Sequence, residues 1–445
     1  MLVTPEARLQ AQALLDFIDA SPSPWHVADT VAQHLESHGF IALREDERWQ
    51  LQPGGRYYVV RGGSSVISFV IGTQTPDRTG FRIIGAHTDS PGLRLKPRAP
   101  HVAETMTRLG VEVYGGAILA SFTDRDLSLA GRIIVRDGSG LQTCLVQFAR
   151  PLVRLPNLAI HMNRNVNEDG LKLNKQTELP LLLGNTHEAF PPAEQFRILL
   201  ANQAKIDAES IINWEFHVYD TQKGTFWGAH EEFIADSQLD NLSSCHASLS
   251  ALLSVNEPRA TCVCALFDHE EVGSESTQGA GGSFLPEVLR RISNPLDRDA
   301  LAQAIARSFF ISADMAHAYH PNFPSAYEPL HPIKVNAGPV IKTNANQRYA
   351  TNAESEAYFI GLCERAEVPW QQYAHRTDLG CGSTIGPIVA AGLGMRCVDV
   401  GNPMWAMHSA RESAGAVDHA YMIRVMQQFF PSHHASSNSH FGEKA

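Results

Sequence analysis

Cys262-Val263-Cys264-Ala265-Leu266-Phe267 is an apolar run that leads directly into Asp268-His269-Glu270-Glu271. A run so short and apolar, ending in polar residues, reads as a strand buried on both faces, the kind found in parallel sheets. Three further segments follow the same plan. Phe81-Arg82-Ile83-Ile84-Gly85-Ala86 precedes His87-Thr88-Asp89, Ser308-Phe309-Phe310-Ile311 precedes Asp314, and Met395-Arg396-Cys397-Val398-Asp399-Val400 leads to His408. In an open α/β sheet, functional groups gather in the crevice outside the carboxyl ends of the strands. His87, Glu270, Glu271, Asp314 and His408 are therefore expected to meet there. The stretch Asp236-Ser237-Gln238-Leu239-Asp240-Asn241-Leu242 reads as a helix start, with Asp236 or Ser237 as cap and Asp240 in the first turn.

At 445 residues the chain exceeds what one hydrophobic core organises, so two domains are expected. The segment from about Leu93 to Ala235 is rich in short β-like stretches, such as Val111 to Tyr114, Gly131 to Arg136, Thr143 to Phe148 and Trp214 to Tyr219. Only Phe196 to Gln203 reads clearly as helix there. The flanks instead alternate strands with helical patterns: Leu239 to Leu253, Leu285 to Ile292, Ala300 to Arg307, Glu354 to Ala366 and His419 to Phe429. The predicted fold is an α/β domain with helices on both faces of its sheet, formed by residues 1–92 and 236–431. A smaller, mostly β domain at 93–235 interrupts it, and a Ser- and His-rich tail at 432–445, with His433, His434 and His440, is expected to be flexible.

The net charge of -11 repels polyanions, so neither nucleic acid nor an anionic membrane is an expected partner. The seven cysteines form no CxxC pair, which points to reduced thiols; Cys262 and Cys264 read as core residues rather than ligands. No apolar run reaches 18 residues, and Thr4 to Ser21 has the periodicity of an amphipathic helix rather than a signal layout. A cytoplasmic address is the expectation.

Zinc accepts imidazole nitrogen and carboxylate oxygen, and two neighbouring zinc ions need a shared carboxylate between them. The inventory fits this arithmetic. One ion would take His87 and Asp314, the other Glu271 and His408, with Asp240 bridging both. Glu270, beside a ligand but expected on the other side of the backbone, is left free as general base on a metal-bound water. Asp89, two residues beyond His87, is placed to accept the second ring N–H of that histidine and fix its tautomer. Taken singly, each of these residues is more often a cap or a surface group. Their joint occurrence reverses that, and points to a di-metal hydrolase.

The motifs His87-Thr88-Asp89-Ser90-Pro91-Gly92, Leu239-Asp240-Asn241-Leu242, Glu270-Glu271-Val272-Gly273-Ser274 and Ser312-Ala313-Asp314-Met315-Ala316-His317 resemble those of the aspartyl aminopeptidases. Lys342 to Thr351 and Met407-His408-Ser409 with Arg411-Glu412 are similar in the same way, and the likeness runs from Ser21 to Glu412. It implies a zinc exopeptidase, with two ions per subunit, that removes an amino-terminal residue, by preference Asp or Glu, from peptides with a free amino terminus. It also implies a catalytic domain interrupted by a dimerisation domain, and a homo-oligomer in which dimers assemble to a dodecamer. Carried over by motif, His87, Asp240, Glu271, Asp314 and His408 are the metal ligands and Glu270 the general base. Four substrate-contacting positions come from the resemblance alone: His161, His317, Lys342 and Tyr349. Lys342 ends an apolar run, where its cation could pair with a substrate carboxylate; an exposed lysine on an edge strand is the plainer reading. His161, in the inserted segment, is placed to complete a neighbouring subunit's site. Where many eukaryotic members carry Asn, this chain has His269, which is expected to support the ligands from behind or to be structural rather than to be a sixth ligand. A di-metal deacylase and an idle self-assembling scaffold are the competing functions.

Overall fold

The four apolar runs form the strands Thr261–Phe267, Phe81–His87, Phe309–Ala313 and Arg396–Gly401, adjacent and parallel in that order. The structure is a computed structural model that describes residues 3–138, 140–186, 191–294 and 297–432. Phe267 stands opposite His87 and Ala313 opposite Val400, so the polar residues that follow leave the sheet along one edge. Ile41–Leu43, Arg56–Arg61 and Ser65–Val70 extend the sheet on one side, and Val340–Thr343 and Gln371–Ala374 on the other, making a nine-stranded mixed sheet.

Alternation along each strand divides the core in two. Cys262, Cys264, Leu266 and Ile84 face one layer, with Leu14, Val27, Leu242, Phe359 and Phe429 from the helices Pro5–Asp19, Pro24–Ser37, Leu239–Leu253, Ala353–Arg365 and Asp418–Phe429. Val263, Ala265, Phe267 and Ile83 face the other, against Phe284 and Leu285 of Phe284–Ile292 and Ile385 of Ile385–Leu393. Side chains on an extended strand alternate in direction, so a strand apolar at every position must be covered twice. Each Val, Leu, Ile or Phe among them, once buried, contributes roughly 1.5–3 kcal/mol. Cys262 and Cys264 are core residues, as expected.

A second, six-stranded sheet is built from Gly92–Ala103, Met106–Tyr114, Leu127–Asp137, Gly140–Gln147, Leu181–Asn185 and Ile211–Asp220, and has its own apolar cluster with Phe196 and Leu200 of the helix Pro192–Ala204. A third sheet, of five strands, was not foreseen. Thr225–Trp227 and Phe233–Asp236, expected within the insertion except for Asp236, pair onward through Glu412–Gly415 with Pro403–Trp405 and Ala316–His317. Ser432 is held by Tyr358, whose hydroxyl lies 2.7 Å from its Oγ; the remainder of the expected flexible tail, with His433, His434 and His440, lies outside the described residues. Among the described residues no helix is long and apolar enough to cross a membrane.

Candidate metal centre

Five of the expected ligands converge. His87 closes its strand with 1% of its surface exposed, and its Nδ1–H donates to the backbone oxygen of Asp89 at 3.0 Å. That bond fixes the tautomer and leaves Nε2 facing Asp240 Oδ1 at 3.6 Å and Asp314 Oδ1 at 3.5 Å. His408 repeats the arrangement. Its Nδ1–H donates to the Gly116 carbonyl at 3.2 Å, and its Nε2 faces Asp240 Oδ2 at 3.3 Å and Glu271 Oε1 at 3.4 Å. Asp240 thus turns one oxygen to each histidine–carboxylate pair, and its buried Oδ1 has no hydrogen-bond partner.

These separations suit a metal. Ligand atoms about 2.0–2.1 Å from a tetrahedral zinc stand about 3.3 Å apart, close to the spacings of both pairs. The donor set of imidazole nitrogen and carboxylate oxygen is also zinc's own. An orphaned, buried carboxylate oxygen between two such pairs is costly unless a cation meets it.

The electrostatics agree. Burial pushes the Glu270 carboxyl well above the usual carboxylate range, with Asp314, Glu271 and Asp89 adding to the effect against His87. Glu271 is raised chiefly by burial as well. Burial alone would raise Asp314 too, but Lys342 and His87 outweigh it and hold that carboxyl below its ordinary range. Burial disfavours a charged His408, yet Asp240 and Glu271 push its pKa up to about 11. Among protein groups alone, the acid-rich pocket therefore draws protons onto its two imidazoles, at the nitrogens that would otherwise bind metal.

The backbone that presents these side chains differs from the sequence reading in three places. Asp240 is not inside a regular helical turn: Asp240 and Asn241 are non-helical and Gln238 has φ +57°, so Asp240 stands at the mouth of the helix. Glu270 and Glu271 lie in a short 3-10 turn, Glu270–Val272, entered at His269 with φ +67°. His408 follows not the central strand but Pro403–Trp405 of the third sheet. The Asp89 carboxylate is 3.6 Å from His87 Nδ1, farther than the Asp89 carbonyl. It instead accepts the backbone N–H groups of Glu270 and Glu271, each at 3.1 Å, and the Tyr114 hydroxyl at 2.7 Å.

Glu412 does the same for the other side. One of its oxygens accepts the Asp240 N–H at 2.9 Å and the other the His408 N–H at 2.6 Å. In the sequence Glu412 stands in a family-like motif with no role of its own, and Tyr114 only closes the β-like stretch Val111 to Tyr114. His269 bonds Ser276 Oγ through Nδ1 at 2.7 Å.

The four remaining positions scatter. Lys342 is not on an edge: Val340–Thr343 lies between two strands, and the side chain is 2% exposed. Its ammonium donates to the carbonyls of Asp314 at 2.9 Å and Met315 at 3.1 Å and lies 3.5 Å from Asp314 Oδ2, so its protons are turned inward to the metal-side carboxylate. Tyr349 is buried with its ring 5.1 Å from that ammonium. His317 is held neutral, down to about 4, by burial and then by Lys342 and His375. It lines a cleft of about 210 Å³ with His320, His331, His375 and Arg376, and Met407 brings that cleft next to His408. His161 is exposed in a loop and is not among the gathered side chains.

The model of the Aminopeptidase I zinc metalloprotease (M18) family matches residues 17–430. The chain belongs to the M18 family of zinc aminopeptidases. A probable M18 family aminopeptidase 2 of Azotobacter vinelandii is 48% identical over 425 residues, 95% of this chain and 98% of the relative. The structure of the Ape4 and Nbr1 complex superposes with a TM-score of 0.93 at 40% identity, over 97% of this chain and 88% of the other. The S. cerevesiae mApe1 dodecamer gives 0.83 at 28% identity, over 94% and 96%. Family membership makes this M18 protein a zinc-dependent aminopeptidase, and sets aside the deacylase and the idle scaffold.

Proposed function

We propose that this M18 enzyme removes an amino-terminal Asp or Glu in preference to other residues, at a centre of two zinc ions bridged by Asp240. The observation that carries the reading is Asp240 itself, with one oxygen toward His87 and Asp314 and the other toward His408 and Glu271. When bound, two zinc ions acidify a water and polarise the scissile carbonyl, so no Ser or Cys nucleophile is required. Glu270 takes the proton of the attacking water and returns it to the leaving amine, a task suited to a buried, raised carboxyl. Asp89 holds the Glu270 turn through two backbone N–H groups. His317 and Tyr349 donate to the oxygen that gains charge, where one donor is typically worth about 3 kcal/mol. Support for the acidic preference comes from the cleft beside His408, lined by His317, His375 and Arg376, with the Lys342 charge set behind Asp314.

The proposal extends to assembly. Residues 93–235 form the dimer contact, and dimers build a dodecamer like that of the mApe1 relative. His161 completes the partner's site, from a loop in which Leu158 is 68% and Met162 76% exposed. All seven cysteines are unpaired, which supports the cytoplasmic address.

The deciding experiment is kcat/KM of the zinc-loaded enzyme on glutamyl, aspartyl and leucyl amides, side by side. The acidic pair is expected to be cleaved faster, and Lys342→Met to lower the acidic-to-leucyl ratio. Faster leucyl cleavage by the parent enzyme would discard the acidic preference. A uniform loss in Lys342→Met, with the ratio unchanged, would leave Lys342 only the task of holding Asp314.

A further inference from the structure

The segment Tyr114-Gly115-Gly116 leaves the last residue of Met106–Tyr114 in the six-stranded sheet and crosses both halves of the metal centre. At one end, the Tyr114 hydroxyl donates to Asp89 Oδ2 at 2.7 Å; the same carboxylate accepts the Glu270 and Glu271 N–H groups. In the middle, Gly115 has φ +64°, and a Cβ there would stand 3.1 Å from Glu271 Cβ and 3.3 Å from Glu271 O. Only glycine permits that approach and that backbone conformation without strain. At the far end, the Gly116 carbonyl accepts His408 Nδ1–H at 3.2 Å, and two residues on, Ile118 N–H donates to His408 O at 2.9 Å.

The anchor of this segment lies wholly in the six-stranded sheet. The Arg94 guanidinium stacks 3.7 Å from the Tyr114 ring centre, and the His217 ring meets it edge-on at 5.7 Å. Arg94 and His217 are themselves cross-strand partners. A buried hydroxyl at such an anchor has one direction to point, and it points to Asp89.

We infer that Tyr114-Gly115-Gly116 is a positioning element through which the six-stranded sheet sets the turn carrying Glu270 and the imidazole of His408, with Tyr114 as its principal positioning residue. It rests on the reading of Glu270 as general base. The Glu270 turn begins three residues past the strand Thr261–Phe267; beyond that strand end, the N–H groups of Glu270 and Glu271 are tied to Asp89, and Asp89 is tied to the six-stranded sheet. A displacement of about 1 Å at a catalytic group can cost about 10²-fold in rate, so the loss of a hydroxyl two hydrogen bonds away is expected to read out in the rate. The same route would let any distortion of the six-stranded sheet reach the centre.

Tyr114→Phe isolates the hydroxyl, because the ring and its contacts with Arg94 and His217 remain. The expected result is a kcat about tenfold lower, KM within about twofold of the parent and an equal zinc content. Amide hydrogen exchange at residues 269–273 should also be faster, both in zinc-free and in zinc-loaded protein. A kcat within twofold of the parent, or unchanged exchange at those amides, would overturn the inference. Should Tyr114→Phe fail to fold, Gly115→Ala decides: its methyl presses on Glu271, so kcat should fall and the same amides loosen, and parental values for both would again overturn it. Full turnover in Glu270→Gln would remove the base role while leaving the exchange result to judge the positioning element separately.

Discussion

Glu270 and Glu271 are neighbours in sequence, and the proposed mechanism gives them different tasks. Glu271 meets His408 Nε2 at 3.4 Å; burial raises both carboxyls, and Glu270, the one raised well above its ordinary range, also feels Asp314, Glu271 and Asp89. Glu270→Gln keeps the size and loses the basicity. It is expected to bind zinc at the parental stoichiometry and to turn over at least about 10²-fold more slowly. Metal analysis and kcat on one preparation check this, and near-parental turnover would take Glu270 out of the mechanism. The side chains that gather were legible because a carboxylate or imidazole at the end of an apolar run, or in the first turn of a helix for Asp240, is chemically conspicuous. Tyr114 and Glu412 were not. Their work is done on backbone N–H groups and on Asp89. The Tyr114–Asp89 and Glu412–Asp240 bonds join residues 25 and 172 apart, which leaves no spacing signal, and the bond from the His408 N–H to Glu412 four residues on needs a loop conformation that residue types do not spell out.

At the scale of elements, the strands and most helices follow from periodicity. The sequence missed Pro24–Ser37, although Ser23 followed by Pro24 is a helix-start signal, because the following Trp25 and His26 do not continue an obvious apolar stripe. Helix packing also carries a pH dependence. His246 of Leu239–Leu253 and His419 of Asp418–Phe429 share a hydrogen bond, Nδ1 to Nε2, of 2.8 Å. Burial lowers both, His246 to about 4 and His419 well below its ordinary value; burial also takes His26 to about 4. An unfolded chain protonates such groups near pH 6.5, so below that pH it takes up protons the folded chain refuses. Stability is therefore fully present above about pH 6.5 and is lost as pH falls toward about 4. In zinc-free protein the unfolding midpoint should drop over this window, and His246→Leu should flatten the drop. An unchanged slope in that variant would show that the pair does not set it.

For the whole molecule, the prediction concerns sharing of sites. His161 is exposed and apart from the gathered ligands of its own chain, so its proposed partner is the centre of another copy. His161→Phe is expected to lower activity at constant zinc content. Mixing it with Glu270→Gln under conditions that exchange subunits should then recover activity, since some sites would pair an intact Glu270 with an intact His161. Absence of recovery would confine His161 to a structural part in its own subunit.

What the sequence determined by itself was the α/β class, the two-faced burial of the central strands and the residue types of the centre. These are written locally, in runs, alternation and the chemistry of Asp, Glu and His. What the tertiary structure decided was which atoms meet. It placed Asp240 between two histidines, buried Lys342 under Asp314, routed His408 through a third sheet and brought Tyr114 to Asp89. Each of these depends on segments far apart in the chain, and on strand pairings whose order is not encoded in any one of them. Distances of 3 Å arise only after the sheets have paired and the helices have closed over both faces.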